Sequence, residues 1–283
     1  MTDHVADWSP ADSPEAIAVS EVHWWARAAE LAVLRMRGPD DHRISWFSSR
    51  QIDARQLILA LRQLLSAVTL VDGRLEELGL DRERNALRLA KDRYEGNLTG
   101  LTEVRNALMH FEAWALGAGH GPQRRRVAEG VSVREVASEF WGFAYDGQNE
   151  TISLGPYTVH VTAVGGAVAQ LSDAVYEAAR AVDRRNAIDL GREVKDALAA
   201  AAVSTDEDWS STKLIVGRDN RLRLSLDSVR AAEQIDRYAL ADRIIEALRA
   251  AGIKLIHLEM PNELDLSGPL GRGVELVCER NPY

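Results

Sequence analysis

The residues best suited to chemistry at neutral pH lie in one short segment, Arg105-Asn106-Ala107-Leu108-Met109-His110. An imidazole has an unperturbed pKa of about 6.5, so His110 can take up or release a proton near neutral pH. The guanidinium of Arg105 can bind a phosphate or carboxylate through two parallel hydrogen bonds. Asn106 lies four residues before His110, close enough on a helix to orient the imidazole. This segment carries the clearest chemical signal in the sequence.

The segment falls on a predicted helix over residues 101–116, which Gly117, Gly119, Gly121 and Pro122 terminate. Successive residues of a helix advance by about 100°. The predicted core face holds Leu101, Val104, Leu108, Phe111 and Ala115, with Ala107 and Trp114 beside it. The opposite face holds Asn106, Met109, His110 and Ala113, with Arg105 at one edge. The motif is therefore predicted to face away from its own core, on a surface apolar enough for a partner.

The elements around this helix follow from apolar periodicity and turn residues. Earlier helices are predicted over residues 14–36, 49–71 and 82–94, with Asp72-Gly73 as a break. An arginine-rich helical stretch, 124–137, leads to strands at 140–145 and 151–161 joined by a hairpin at 146–149. Two further helices are predicted over residues 162–185 and 187–202. The fold class is thus mainly α, a helical bundle with an inserted β-hairpin.

The last part of the chain has a different pattern. Strands are predicted at 213–216, 221–226, 254–259 and 274–279, with one amphipathic helix at 228–251. The acidic turn at 204–208 marks the boundary before this module. We expect a disordered N-terminus over residues 1–13, a helical domain over 14–203 and a small α/β domain of order β-β-α-β-β over 206–283.

Composition limits the classes of protein to which the chain can belong. Hydrophobic residues make up 46% and charged residues 27% of it, enough for a sizeable core. The single cysteine, Cys278, allows no intrachain disulfide, and no secretory signal or long apolar window is evident, so we expect a cytoplasmic protein. A net charge of −9 argues against a broad nucleic-acid-coating surface, although a small phosphate site needs few cations. No zinc spacing, P-loop or dinucleotide fingerprint occurs, so no metal or cofactor is expected.

Arg-Asn-x-x-x-His on a late helix of a small bundle resembles the motif of the HEPN family. These are nucleotide-binding helical domains of prokaryotic toxins, defence systems and eukaryotic RNases, with an Arg, often followed by Asn, and then a His. The resemblance covers roughly residues 15–185, with the hairpin at 140–161 as an insertion before the last helix. It implies a metal-independent endoribonuclease, in a toxin–antitoxin or defence setting.

The resemblance also implies a role for each residue of the motif. His110 would deprotonate a ribose 2′-hydroxyl or protonate the leaving oxygen, and Arg105 would hold the scissile phosphate. Asn106 would orient the imidazole or donate to the phosphate. On one helix Arg105 and His110 lie about 140° apart, so one copy cannot easily aim both at one phosphorus. Two helices that cross at a two-fold axis can, which agrees with the homodimer that the family implies.

A second interpretation stays open. Many HEPN-like domains bind nucleotides or proteins without cleaving RNA, and an Arg/Asn/His trio can also form a hydrogen-bonded dimer seam. The chain would then be a regulatory module, with an antitoxin or regulatory protein as its partner. Arg124-Arg125-Arg126 is the best local basic cluster, yet such a cluster is typical of a solvated helix start. His23-Trp24-Trp25 is interpreted as aromatic core with a satisfied histidine, rather than as a neighbour of the motif.

Overall fold

The computed structural model describes residues 9–41, 43, 48–201, 214–216, 222–226, 237–259 and 274–280. This part of the protein is mainly helical, with two small antiparallel sheets, as the sequence predicts at this level. The helices are α1 (Pro14–Arg37), α2 (Ser49–Glu77), α3 (Asp81–Asn97), α4 (Leu101–Met109), α5 (Phe111–Ala115), α6 (Pro122–Ala128), α7 (Val133–Glu139), α8 (Val164–Ala200) and α9 (Arg237–Ala250). The strands are β1 (Phe143–Asp146), β2 (Thr151–Leu154), β3 (Tyr157–His160), β4 (Leu214–Val216), β5 (Leu222–Leu226), β6 (Ile253–Glu259) and β7 (Val274–Arg280).

The pairing of α1 with α2 is the largest helix contact of the described chain. Each helix buries apolar residues at alternating spacings of three and four, which keeps one stripe on one face. The buried apolar residues of α1 are mostly small, with Met36 as the large exception, whereas those of α2 include many leucines: Ala18, Val22, Ala29, Ala32 and Met36 on α1, and Leu57, Leu61, Leu64, Leu65 and Leu75 among others on α2. Ion pairs of Arg35 with Asp53 and of Arg74 with Glu15 fix the two helices as antiparallel.

Helix α2 also has the length and mean hydropathy of a helix that could cross a membrane. More than half of its most apolar window is buried inside the protein, however, and core helices of globular proteins pass the same test. Asp72-Gly73 does not break this helix, contrary to the sequence prediction. A single glycine costs a helix only about 1 kcal/mol, and the buried Val71 and Leu75 on either side hold the backbone in place.

Two further contacts attach α3 and the first sheet to α2. The hydroxyl of Tyr94 on α3, which is buried, donates to the Leu61 carbonyl at 2.7 Å. The side-chain amide of Gln51 on α2 forms the two hydrogen bonds that a neighbouring strand would form with Tyr145 of β1. Its Oε1 accepts from Tyr145 N at 3.0 Å, and its Nε2 donates to Tyr145 O at 3.3 Å. Strand β1 lies at an edge of the sheet β1-β2-β3, so this amide supplies the missing neighbour.

Three more elements differ from their prediction. The arginine-rich stretch forms two short helices, α6 and α7, and a capping box at Ser132 and Glu135 starts the second. The predicted strand over 151–161 is two strands, since Gly155 takes a positive φ of 54° and turns the chain, giving a three-stranded sheet instead of a hairpin. The two helices predicted over 162–185 and 187–202 are the single helix α8.

The C-terminal module has the predicted order β-β-α-β-β, with the sheet order β4-β5-β7-β6 and all neighbours antiparallel. Its core joins the last part of α8 to α9 and the sheet. The buried members are Ala187, Leu190, Val194, Leu198, Ile244, Ala247, Leu248, Ile253, Leu276 and Cys278. Burial raises the pKa of the Cys278 thiol to about 11.

The chain divides into two compact units within α8, between Ala179 and Arg180. This lies earlier than the boundary predicted near residue 206, because the last turns of α8 pack into the C-terminal core. The acidic turn at 204–208 and the start predicted for the last helix at 228 lie outside the described residues. So does most of the N-terminus predicted to be disordered, of which Pro10–Asp12 form a single 3-10 turn.

The start of α2 is capped by a carboxylate from the preceding loop, and this cap depends on pH. Asp40 Oδ1 accepts from Ser49 N at 2.7 Å and from Ser49 Oγ at 2.8 Å. The hydrogen bonds from the side chains of Ser49 and Ser48, followed by those from the backbone, lower the pKa of Asp40 from 3.8 to about 2. The folded protein therefore stabilises the charged form of Asp40 relative to the protonated form.

We expect Asp40→Asn to lower the urea midpoint of unfolding near neutral pH, because the amide accepts these hydrogen bonds less strongly. The stabilisation is complete above the ordinary pKa of 3.8 and declines as the pH falls towards 2. The difference between wild type and variant should therefore close over that range. Asp92→Asn, at an exposed position of α3, is the matched control; a difference that is constant from pH 6 to pH 2 would contradict the assignment.

Candidate functional site

Helix α4 is pressed between α2 and the first sheet, which fixes the face that carries the motif. Gly100, with φ +83°, precedes it, and a Cβ at this position would lie 3.0 Å from the Thr158 carbonyl oxygen of β3. Leu101, Val104 and Ala107 are buried on this inner side. The chain can approach the sheet so closely only because residue 100 lacks a side chain.

The predicted helix over 101–116 is broken at His110. This residue has φ −123° and ψ 39°, between α4 and α5. Its N–H still donates to the Asn106 carbonyl at 2.9 Å, and its own carbonyl accepts from Ala113 N and Trp114 N at 3.1 Å. A new helical turn therefore starts at His110.

The break changes which residues reach the core after it. Phe111, predicted on the core face, is 61% exposed, and Ala115 is exposed too. Trp114, predicted beside that face, is buried and packs edge-on against Phe140 at 5.9 Å between ring centroids. The placement of Phe111 and Ala115 in the core was wrong, because a single helical phase does not continue through His110.

The three motif residues lie at the surface, and two of them are joined. Arg105 Nη1 donates to Asn106 Oδ1 at 3.0 Å, and both side chains are half-buried. His110 is exposed, and its imidazole has no hydrogen-bond partner among the described residues. Asn106 therefore orients the guanidinium of Arg105, whereas its link to His110 is through the backbone only. No carboxylate within the described ranges forms an ion pair with Arg105, so its charge is available to an anion.

A buried glutamine that the sequence analysis missed holds the chain just after the motif. Gln123 is fully buried; its Oε1 accepts from Gly119 N at 2.6 Å and its Nε2 donates to the Trp114 carbonyl at 3.0 Å. These bonds fasten the glycine loop to the end of α5, one turn from His110. The only sequence signal is a polar residue directly after Pro122 at a helix start, which is ordinary helix-start composition.

The other candidate residues lie outside the motif. Arg126 pairs with Glu129 and Glu139 at 3.2 Å each, while Arg124 and Arg125 are exposed. The interpretation of this cluster as a solvated helix start stays a prediction.

The interpretation of His23-Trp24-Trp25 as aromatic core was wrong: His23 is exposed, Trp24 is 68% exposed, and Trp25 donates to Glu21 at 2.8 Å. Helix α1 buries its small residues against α2, and these aromatic side chains fall outside that stripe. Among the described residues, no group of three or more His, Cys, Asp or Glu side chains is arranged to hold a metal ion.

Comparison with protein-family models, with curated proteins and with solved structures finds no match to this chain. The candidate site is therefore described by its own geometry: an arginine held by Asn106 on α4, with no ion-pair partner among the described residues, and an exposed histidine five residues later at the helix break.

We expect Gln123→Leu to destabilise the fold by about 1–3 kcal/mol, because it leaves the buried Gly119 N–H and Trp114 carbonyl without partners. The free energy of unfolding from urea titration measures this. Gln63→Leu, at an exposed position of α2, should change it by less than about 0.5 kcal/mol. Equal effects of the two substitutions would mean that the Gln123 bonds contribute nothing.

Proposed function

We propose that this protein is a metal-independent endoribonuclease of the HEPN type that acts as a homodimer with a composite Arg105/His110 site. One observation carries the proposal. Asn106 orients Arg105, which forms no ion pair with a carboxylate of the described residues, and the exposed His110 follows five residues later. Such a pair supplies a phosphate ligand and a proton-transfer group at a surface that RNA can reach. A mainly helical fold, in which α1 to α4 are followed later by the long helix α8, supports the proposal.

The state of each residue in the fold supports the chemistry that this proposal assigns to it. One N–H of the Arg105 guanidinium donates to Asn106, which holds the plane of the group in place. The remaining N–H donors are then free to bind a phosphate. His110 exchanges a proton with the ribose 2′-hydroxyl or the leaving oxygen. Cleavage through the 2′-hydroxyl leaves a cyclic phosphate and needs no metal-bound water.

The dimer in this proposal is formed by the face around His110. Met109 is 49% exposed and Phe111 is 61% exposed, on either side of the histidine. Large apolar side chains beside a polar motif are typical of a surface that another chain covers. Two copies related by a two-fold axis here bring the Arg105 of one towards the His110 of the other.

The same exposed residues favour one alternative, a non-catalytic module whose motif face binds a regulatory protein. Leu116, Val133 and Trp141 are also exposed, so apolar surface extends over α5 to α7. The net charge of −9 weakens long-range attraction to RNA. In this alternative Arg105 and His110 contribute to partner affinity and to no reaction.

We expect the purified protein to cleave single-stranded RNA or tRNA in the presence of EDTA and to leave cyclic phosphate ends. His110→Ala and Arg105→Ala should each lower the cleavage rate by about 10² to 10⁴, since they remove the proton-transfer group and the phosphate ligand. Electrophoresis with end analysis measures both rate and products.

The controls for cleavage are His120→Ala and Arg124→Ala, which change an exposed histidine and an exposed arginine outside the motif. Both should cleave like wild type, and all four variants should keep the melting temperature within a few degrees. A wild type that is inert towards every RNA class tested would end the ribonuclease proposal and favour the binding module.

We also expect a dimer in light scattering at micromolar concentration, and its loss in Met109→Glu, because a buried unpaired carboxylate opposes association. Leu89→Glu, at a comparably exposed position of α3, is the control and should stay dimeric. If Met109→Glu leaves the dimer intact, the composite site is not formed at this face.

A further inference from the structure

An open groove of about 710 Å³ lies between α1 and the first part of α8, within the unit of residues 10–179. Its α8 wall is one helical stripe, Gly165, Val168, Ala169, Ser172 and Tyr176. Its α1 wall is a second stripe beside the face that packs on α2. The volume is in the range of sites that hold ligands or partner side chains.

The two walls run antiparallel. Arg37, in the last turn of α1, binds the Glu150 carboxylate at 2.6 Å, and the Glu150 carbonyl accepts from Val161 N at 2.8 Å, just before α8. The end of α1 therefore meets the start of α8. From Gly165 to Tyr176 the groove extends for about 17 Å, or three helical turns.

The shape of the groove fits a helix better than a small molecule. Leu34 on one wall is 61% exposed, and Tyr176 on the other is 50% exposed. Both walls therefore offer a large exposed side chain to a bound helix. Gly165 lines the groove, and a Cβ at this position would meet no atom of the described residues within 4 Å, so they leave that space open. A groove about three helical turns long between two helices can hold the apolar stripe of a third helix.

The charges in the groove define the chemistry of that helix. Both of its arginines are neutralised within the chain, Arg27 by Glu30 at 2.6 Å and Arg37 by Glu150. The carboxylate of Asp173 has no ion-pair partner among the described residues, so one negative charge of the groove stays uncompensated once Arg27 is paired with Glu30 and Arg37 with Glu150, which lies outside the lining. The chain as a whole carries −9, which attracts cationic partners over longer distances.

We propose that the α1–α8 groove binds an amphipathic helix of a basic partner protein. Apolar residues of that helix at i, i+3 or i+4 and i+7 fill the groove, and a Lys or Arg near one end binds Asp173. This site is separate from the Arg105/His110 face and does not depend on ribonuclease activity.

The test uses the full chain and a fluorescein-labelled model peptide of about 14 residues, with Leu at those helical spacings and Lys elsewhere. Fluorescence anisotropy measures its affinity. Ala169→Trp fills the groove and should weaken binding by about tenfold or more, while Asp173→Asn should weaken it by about two- to fivefold. Gln170→Trp and Glu177→Gln, on α8 but outside the groove lining, should bind like wild type.

Two controls make the result decisive. A scrambled Leu/Lys peptide and a Leu/Glu peptide of the same spacing should bind at least about tenfold more weakly, and circular dichroism should report the same melting temperature for all variants within a few degrees. Equal binding of the Leu/Glu peptide, or no effect of Ala169→Trp, would overturn the proposal. So would self-association that Ala169→Trp abolishes without any peptide binding, since the occupant would then be a second copy.

Discussion

The apolar stripe of α2 is the constraint on which the larger unit depends. It is buried against α1 on one side, and α3, α4 and β1 contact the remaining surface. The buried leucines of α2 and the mostly small buried residues of α1 form the core between these two antiparallel helices, and an ion pair joins them near each end. Because α3, α4 and β1 pack on α2, a substitution in the stripe would disturb the packing of the motif helix α4 as well.

The motif owes its exposure to the shortness of α4. Once α4 has filled the space between α2 and β3 with Leu101, Val104 and Ala107, continuing the same helical phase would direct Phe111 inwards. Trp114 fills the next core position instead, which requires a change of phase at His110. The buried Gln123 then stabilises the new helical phase by donating a hydrogen bond to the Trp114 carbonyl. The candidate site thus lies where the packing of α4 ends and the packing of Trp114 begins, at His110.

The sequence predicts well what depends on local periodicity. Helices α1 and α3 and the order of the C-terminal module follow from the spacing of apolar residues and from turn residues. The break at His110 does not, because no proline or glycine marks it and its cause is the packing of Trp114 and Phe140. The continuity of α8 was missed for a similar reason: its buried residues belong to two different cores, so no single stripe runs through it.

The amide of Gln51 has a consequence beyond holding the first sheet in place. An uncovered edge strand offers its backbone to any other extended chain and so promotes polymerisation. Here the N–H and C=O of Tyr145 are already occupied by a side chain of the protein itself. A second molecule would have to displace two hydrogen bonds before it could add a strand at that point, so the β1 edge of the sheet is protected at Tyr145 against fibrous growth.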